Sequence, residues 1–501
     1  MGLIQRQSFK SSIATYIGIV IGAVNLIILF PRFLTPEQLG LTRVLIAASL
    51  IFSQVSLLGT PYALIRFFPF FKNQEQKHFG FPALMMWLTL GGFTVISLLV
   101  FALHAQIEDL YSKNSPLFSS HFLWLFPLAL FMTLSEMVFS YTRTLLKMPI
   151  PIFFKEVMLR LVQTGAIILL ILKMISFEQF LTLFVCSYLV QLLLLCGYVV
   201  WLKQFFFFAP IHLRGKVSFK QILRFSLFMF AAVTAAIYTQ NIDVILMSYL
   251  LNLSNTAVYS IAFFIGTIIQ VPARNMNMVA ASVVAEAWKE SDHKKIQQLY
   301  TQTSLNQLII GGFIFLLIWV NVNLLLSLLP PVYEGAKWVI FIIGIGKLFD
   351  MATGINGEII NVSKHVKVNL STNLLLIVIS TLSNYFFIQL YGISGAAIAT
   401  AISLFAYNVI RMIFLFVRYG LQPFNSNTLK ATVLLVAVFV IAFLLPALNN
   451  LWISGIYQTI IVSCLFILPL FAFRISPEIN AAFLSVVSSL KASRSSGGET
   501  Q

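Results

Sequence analysis

Apolar stretches long enough to cross a bilayer follow one another through almost the whole chain, and every second gap between them collects Lys and Arg. A bilayer core takes roughly 20 apolar residues of helix. The runs predict spans near 11–31, 41–61, 81–103, 121–142, 155–173, 180–202, 225–250, 257–283, 304–329, 336–360, 367–388, 394–417, 430–447 and 453–473, about fourteen helices. Hydrophobic residues make up 59% of the 501 and charged residues only 10%, a balance that excludes an ordinary water-soluble domain. A membrane barrel would alternate apolar and polar residues in segments of roughly ten. Here Leu374–Leu382 and Leu434–Leu445 are continuous runs. The expected fold is therefore all-α, a polytopic helical bundle.

Basic residues set the orientation, because short cytoplasmic loops retain Lys and Arg. With the N-terminus inside, 25 of the 32 Lys and Arg fall on the inner side, among them Lys155, Arg160 and Arg411. The outer side holds Arg32, Arg43, Lys113, Lys173 and Lys337, while Arg274 and Lys347 lie within predicted helices. This bias implies an even number of spans with both termini cytoplasmic. The net charge of +16 is then mainly a topology signal. It does not predict nucleic-acid binding, since the charges sit on separate short loops, and attraction to anionic lipid headgroups follows instead. The first apolar run ends at Phe30-Pro31-Arg32 with no small-residue cleavage site, which reads as an uncleaved helix.

Little catalytic chemistry is visible. The longest outer gap, about residues 104–120, is too short for a catalytic domain. Cys186, Cys196 and Cys464 lie within apolar runs and suggest neither disulfides nor a metal centre; no cofactor is expected. The inner stretch 203–224 carries Phe205–Phe208 followed by Arg214, Lys216, Lys220 and Arg224, an interfacial amphipathic connector. It divides the chain into an N-terminal six-helix lobe (1–202) and a second (225–417), with two further helices (418–475) and a cytoplasmic tail (476–501). In the tail Ile479, Ala482, Phe483, Val486, Val487 and Leu490 recur at helical spacing, and the Ser/Gly-rich end after Lys491 is expected to be disordered.

Leu34–Leu41, after the first helix, is weakly echoed by Leu251–Val258, after the seventh. Units of six helices repeat in the same orientation, the parallel arrangement of transporters that rock two lobes about a central site. Several segments also carry a resemblance. Pro31-Arg32-Phe33-Leu34-Thr35-Pro36-Glu37-Gln38-Leu39-Gly40, Gly59-Thr60-Pro61-Tyr62-Ala63-Leu64-Ile65-Arg66-Phe67, Leu223-Arg224-Phe225-Ser226-Leu227 and the Tyr391-Gly392 turn before Gly395-Ala396-Ala397 are examples. Over about residues 10–475 the sequence resembles bacterial polysaccharide flippases of the multidrug/oligosaccharidyl-lipid/polysaccharide exporter superfamily. The resemblance implies a monomeric, non-enzymatic flippase of the bacterial inner membrane. Its cargo would be a polyprenyl-diphosphate-linked oligosaccharide, and its further partners membrane lipids and glycan-assembly proteins. The alternatives are a drug or cation antiporter of the same superfamily, a membrane glycan polymerase or ligase, or a permease for small solutes.

Polar residues inside spans are costly and mark cavities or structural partners. Gln270, Arg274 and Asn277 share one helix face with Thr267, and an Arg flanked by amides suits a phosphate. Asn25 lies on a stripe with Gly18 and Gly22, and Arg32, Arg43 and Arg66 stand near helix ends. These seven are the candidate substrate-binding residues, although Gly18 and Gly22 also fit a close-packing face and Arg66 an orientation anchor. Asp243, Lys347, Asp350, Glu358 and Glu136 are candidates for ion coupling. Lys347 and Asp350 also have the spacing of a structural pair, and Glu136 and Asp243 have no obvious local partner in the sequence.

Overall fold

The structure is a computed structural model that describes residues 3–212, 217–446 and 448–481. Arg214, Lys216 and the tail beyond residue 481, where most of the expected amphipathic helix falls, lie outside the described residues. Among the described residues every regular element is a helix. Eleven helices are long and apolar enough to cross a membrane, or twelve if Pro331–Ala352 and Asn356–Val362, bent by 46°, form one span. The protein is a multi-pass helical membrane protein.

The expected count of about fourteen is not confirmed among the described residues, and the differences are local. Val366–Tyr419 runs as a single element of 54 residues. Straight, it would be about 81 Å long, far beyond a core of about 30 Å. Gly392 breaks it with φ 57° and ψ −134°. A Cβ on Gly395 would collide with the Phe387 carbonyl, so the chain turns sharply there. Stretch 149–171 is interrupted by charge, since Lys155, Glu156 and Arg160 fall within a π-helical turn, Phe154–Met158, and the start of Leu159–Ile171.

Local chemistry explains where helices begin. Thr35, Ser176, Ser218 and Asn425 each cap a helix reciprocally with Gln38, Gln179, Gln221 and Thr428. Such boxes satisfy backbone donors that a helix start leaves open. Pro36 then occupies a first-turn position where its missing N–H costs nothing. The two echoed turns meet in space, because Gly40 packs so closely on the Leu253 carbonyl that no side chain fits between them.

The described chain packs as two compact units. One comprises the residues up to Ile261 together with Asn373–Ala396, and the other Ala262–Thr372 with the described residues from Ala397 onward. The first has cores around Phe68, Phe71, Phe81 and Tyr141, and around Leu41, Leu45, Phe122 and Leu128. The second has cores around Leu316, Val438 and Phe466, and around Val284, Tyr300 and Ile359. Side chains such as Leu98, Phe101, Val417, Phe443 and Leu444 lie exposed on helices. In hydrocarbon that placement carries no penalty, provided the backbone is satisfied within the helix.

Candidate functional site

The first unit contains a cavity of about 430 Å³ lined by two ion pairs. Lys155 Nζ donates to Glu136 Oε2 at 2.7 Å and lies 4.6 Å from the Phe139 ring. Arg160 Nη1 donates to Glu156 Oε2 at 2.6 Å and also to the Glu156 carbonyl. The four charged side chains are partly exposed, and two cations facing two carboxylates make the group formally neutral. The π-helical turn Phe154–Met158 bears Lys155 and Glu156, and such turns commonly mark functional positions in helices. Ser53, Gln54, Tyr62, Ser135, Tyr188 and Gln191 complete the polar lining. Gln54 Nε2 and Ser135 Oγ are buried with no hydrogen-bond partner among the described residues.

Arg160 is seated by the first helix, which runs from Leu3–Ala23 through a π-helical turn, Val24–Leu29, into Phe30–Phe33. The missing side chains of Gly18 and Gly22 leave the groove that its guanidinium occupies. Asn25 is buried beside it. Its Nδ2 donates to the Arg160 carbonyl at 3.0 Å, and its Oδ1 accepts from Thr164 at 2.8 Å. Asn25 thus joins two helices at the edge of the Arg160 contact.

The remaining candidates fall in several places. Arg32 is exposed, and Arg43 is half-buried with its guanidinium 5.9 Å from the Phe30 ring. Arg66 is exposed and stacks 4.3 Å from the Phe225 ring. Two of the segments that carry the resemblance, 59–67 and 223–227, are thereby packed on each other. Asp243 is buried and accepts from the Tyr259 hydroxyl at 2.5 Å and the Val244 N–H at 2.8 Å. Glu136 has Lys155 as its partner, a residue the charge count puts on the inner side.

In the second unit the residues expected on one face of the eighth span separate. Arg274 is exposed, Gln270 donates to Asp350 Oδ2 at 2.5 Å, and Asn277 accepts from Gln307 at 2.6 Å. Asp350 Oδ1 also accepts from Asn408 at 2.6 Å, so amides take up its carboxylate. Lys347 Nζ lies 5.4 Å from the Phe263 ring. Thr353, Asn356 and Asn408 continue the network to Arg411. Arg411 is only 7% exposed, also donates to Asn369 Oδ1, and lies 3.7 Å from the Tyr407 ring. Half-buried Glu358 is near enough to act on Arg411 electrostatically. The cation count puts Arg411, like Lys155 and Arg160, on the inner side, and the structure buries Arg411 in a polar cluster. Among the described residues no group of His, Cys, Asp and Glu is arranged to hold a metal ion.

Helices of membrane-spanning character thus stand beside a polar cavity lined by two ion pairs. A family model described as MatE matches residues 227–386. Among solved structures, the lipid II flippase MurJ in an inward closed conformation is similar with a TM-score of 0.66 and 15% identity, over 92% of this chain and 99% of that one. An inward-facing multidrug resistance MATE family transporter of the MOP superfamily gives 0.56 and 14%, over 81% and 94%. An outward-facing structure of such a transporter gives 0.52 and 14%, over 84% and 96%. No curated protein matches the sequence significantly. These likenesses show a shared fold, that of the MOP-type transporters.

Proposed function

We propose that this protein is a flippase that moves a polyprenyl-diphosphate-linked oligosaccharide from the cytoplasmic to the outer leaflet, by alternating exposure of a polar cavity, for cell-surface polysaccharide synthesis. The observation that carries this reading is the cavity itself, whose wall bears Lys155 and Arg160 beside residues of apolar membrane-spanning helices. An isolated charge in hydrocarbon costs tens of kcal/mol in the idealised limit, so a diphosphate crosses only where protein groups replace its hydration. Arg offers a forked donor set that matches phosphate oxygens, and Lys adds a compact positive charge. A cavity of about 430 Å³ is of a size to enclose a charged head, while the polyprenyl tail stays in lipid.

The solved lipid II flippase supports this reading, because its likeness extends over more of the chain than the multidrug transporters do. With both termini inside and the cations retained by the protein, moving negative charge outward across a negative-inside potential releases about 2.3 kcal/mol per charge per 100 mV. We place the protein in a bacterial inner membrane as a monomer.

A second reading, antiport of drugs or cations, is favoured by one observation: the cavity holds as many carboxylates as cations. Deleting the protein from its host separates the two. Flipping predicts that lipid-linked oligosaccharide accumulates in the cytoplasmic leaflet, whereas antiport predicts normal glycan and drug hypersensitivity. In proteoliposomes, Lys155→Ala with Arg160→Ala should lower the rate of headgroup translocation at least about tenfold, the equivalent of one or two charge-assisted hydrogen bonds. Wild-type rates from a normally expressed variant would remove the cavity from the transport path.

A further inference from the structure

Arg160 has two sets of contacts that a single movement would break together. Through Nη1 it is paired with Glu156 on the cavity wall. The same side chain fills the groove of the first helix, where a Cβ on Gly18 would meet Arg160 Nη1 and the Glu156 carbonyl, and a Cβ on Gly22 would meet Arg160 Nε and Cδ. The main chain of Arg160 is held separately, by Asn25 Nδ2 at 3.0 Å. Asn25 belongs to the π-helical turn Val24–Leu29, so the part of the helix N-terminal to that turn depends on the side chain and the turn itself on the backbone. Gln54 and Ser135 add unused polar capacity to the same cavity, each at least nine-tenths buried with Gln54 Nε2 and Ser135 Oγ unpartnered among the described residues. Unpaired buried polar atoms are costly, and a ligand that pairs them recovers that cost.

We propose that Arg160 is a latch that couples capture of a phosphate-type anion to release of the first helix. The anion draws the guanidinium away from Glu156 and out of the Gly18–Gly22 groove, and the helix then separates from stretch 149–171 on the N-terminal side of Asn25. The inference rests on the anionic cargo proposed above. A diphosphate competes well for the guanidinium because it presents more acceptor oxygens and more charge than one carboxylate. Once emptied, the groove has lost its packing partner, and a contact with no atoms on one side loses its dispersion energy outright. Lys155 and Glu136 form the second pair in the cavity, so the anion meets a second cation as Arg160 swings toward it.

The test is amide hydrogen exchange on the full-length protein in nanodiscs, alone, with inorganic diphosphate and with polyprenyl diphosphate, alongside calorimetric binding of each. Ligand should speed exchange over residues 10–23 about tenfold, the loss of roughly one charge-assisted contact, and leave 24–33 unchanged. Gly22→Ala, which expels Arg160 from the groove, should show the fast exchange without ligand and still bind diphosphate. Arg160→Lys keeps the charge but not the fork, and should lose the ligand response. A response to polyprenyl diphosphate alone assigns the latch to a lipid headgroup, and an equal response to inorganic diphosphate assigns it to the free anion. Binding of either ligand with unchanged exchange over 10–23 overturns the latch and leaves the flippase reading standing. Absence of binding to both overturns the two together.

Discussion

Replacing Arg411 by methionine is expected to destabilise the second unit by about 3–5 kcal/mol, the usual result of removing one member of a buried charged network. Arg411 is buried, at 7% exposure, with its guanidinium against Tyr407, Asn356 and Asn369. Gly357 makes room for it, since a Cβ there would meet Nη1. Methionine would match the volume but leave the Asn356 and Asn369 carbonyls without this donor, and Asp350 and Glu358 without the charge of Arg411. The measurement is the midpoint of thermal loss of monodisperse protein in detergent. Arg411→Lys should fall between wild type and Arg411→Met, because an ammonium supplies charge without the planar fork. An unchanged midpoint for Arg411→Met would mean that the cluster contributes nothing net to stability.

Gly59→Val is expected to be nearly as damaging to the first unit, costing about 3 kcal/mol or more from overpacking and a disfavoured backbone conformation together. Gly59 has φ 75°, and a Cβ on it would run into the Ser226 carbonyl and the Phe230 N–H. The contact is backbone against backbone, so no side-chain rotation relieves it. Ser226 Oγ donates to the Leu58 carbonyl at 2.8 Å across the same junction. The variant should give a lower unfolding midpoint and a poor yield of monodisperse protein, whereas Ser226→Ala should cost only about 1 kcal/mol, one hydrogen bond. A Gly59→Val protein as stable as wild type would show that helices 60–71 and 219–250 can part without penalty.

The helices were legible in the sequence because run length alone separates a span from a loop, and the Tyr391-Gly392 segment marked the turn within Val366–Tyr419. The cap at Thr35 was equally readable from Thr-Pro-Glu-Gln. The site was less so. Counting cations for topology puts Lys155, Arg160 and Arg411 on the inner side without regard to what each side chain touches, so none of the three entered the candidate site, although all fall within predicted spans. The pairing of Glu156 with Arg160 four residues on was the available signal, as was Asn408 three residues before Arg411. The link between Glu136 and Lys155 joins separate helices and has no local signature. Nor does the apolar pattern show that a late segment, Asn373–Ala396, belongs with the unit formed by the residues up to Ile261.

That last feature bears on how the protein is made. The unit that holds the cavity is discontinuous, and its final piece is translated only after the 111 residues of Ala262–Thr372. The nascent chain can insert its early helices one by one, yet it cannot complete this unit until residue 396 has emerged from the ribosome. Until then the early helices wait in the bilayer with one partner missing, and quality control of an unfinished product has its longest opportunity during that interval.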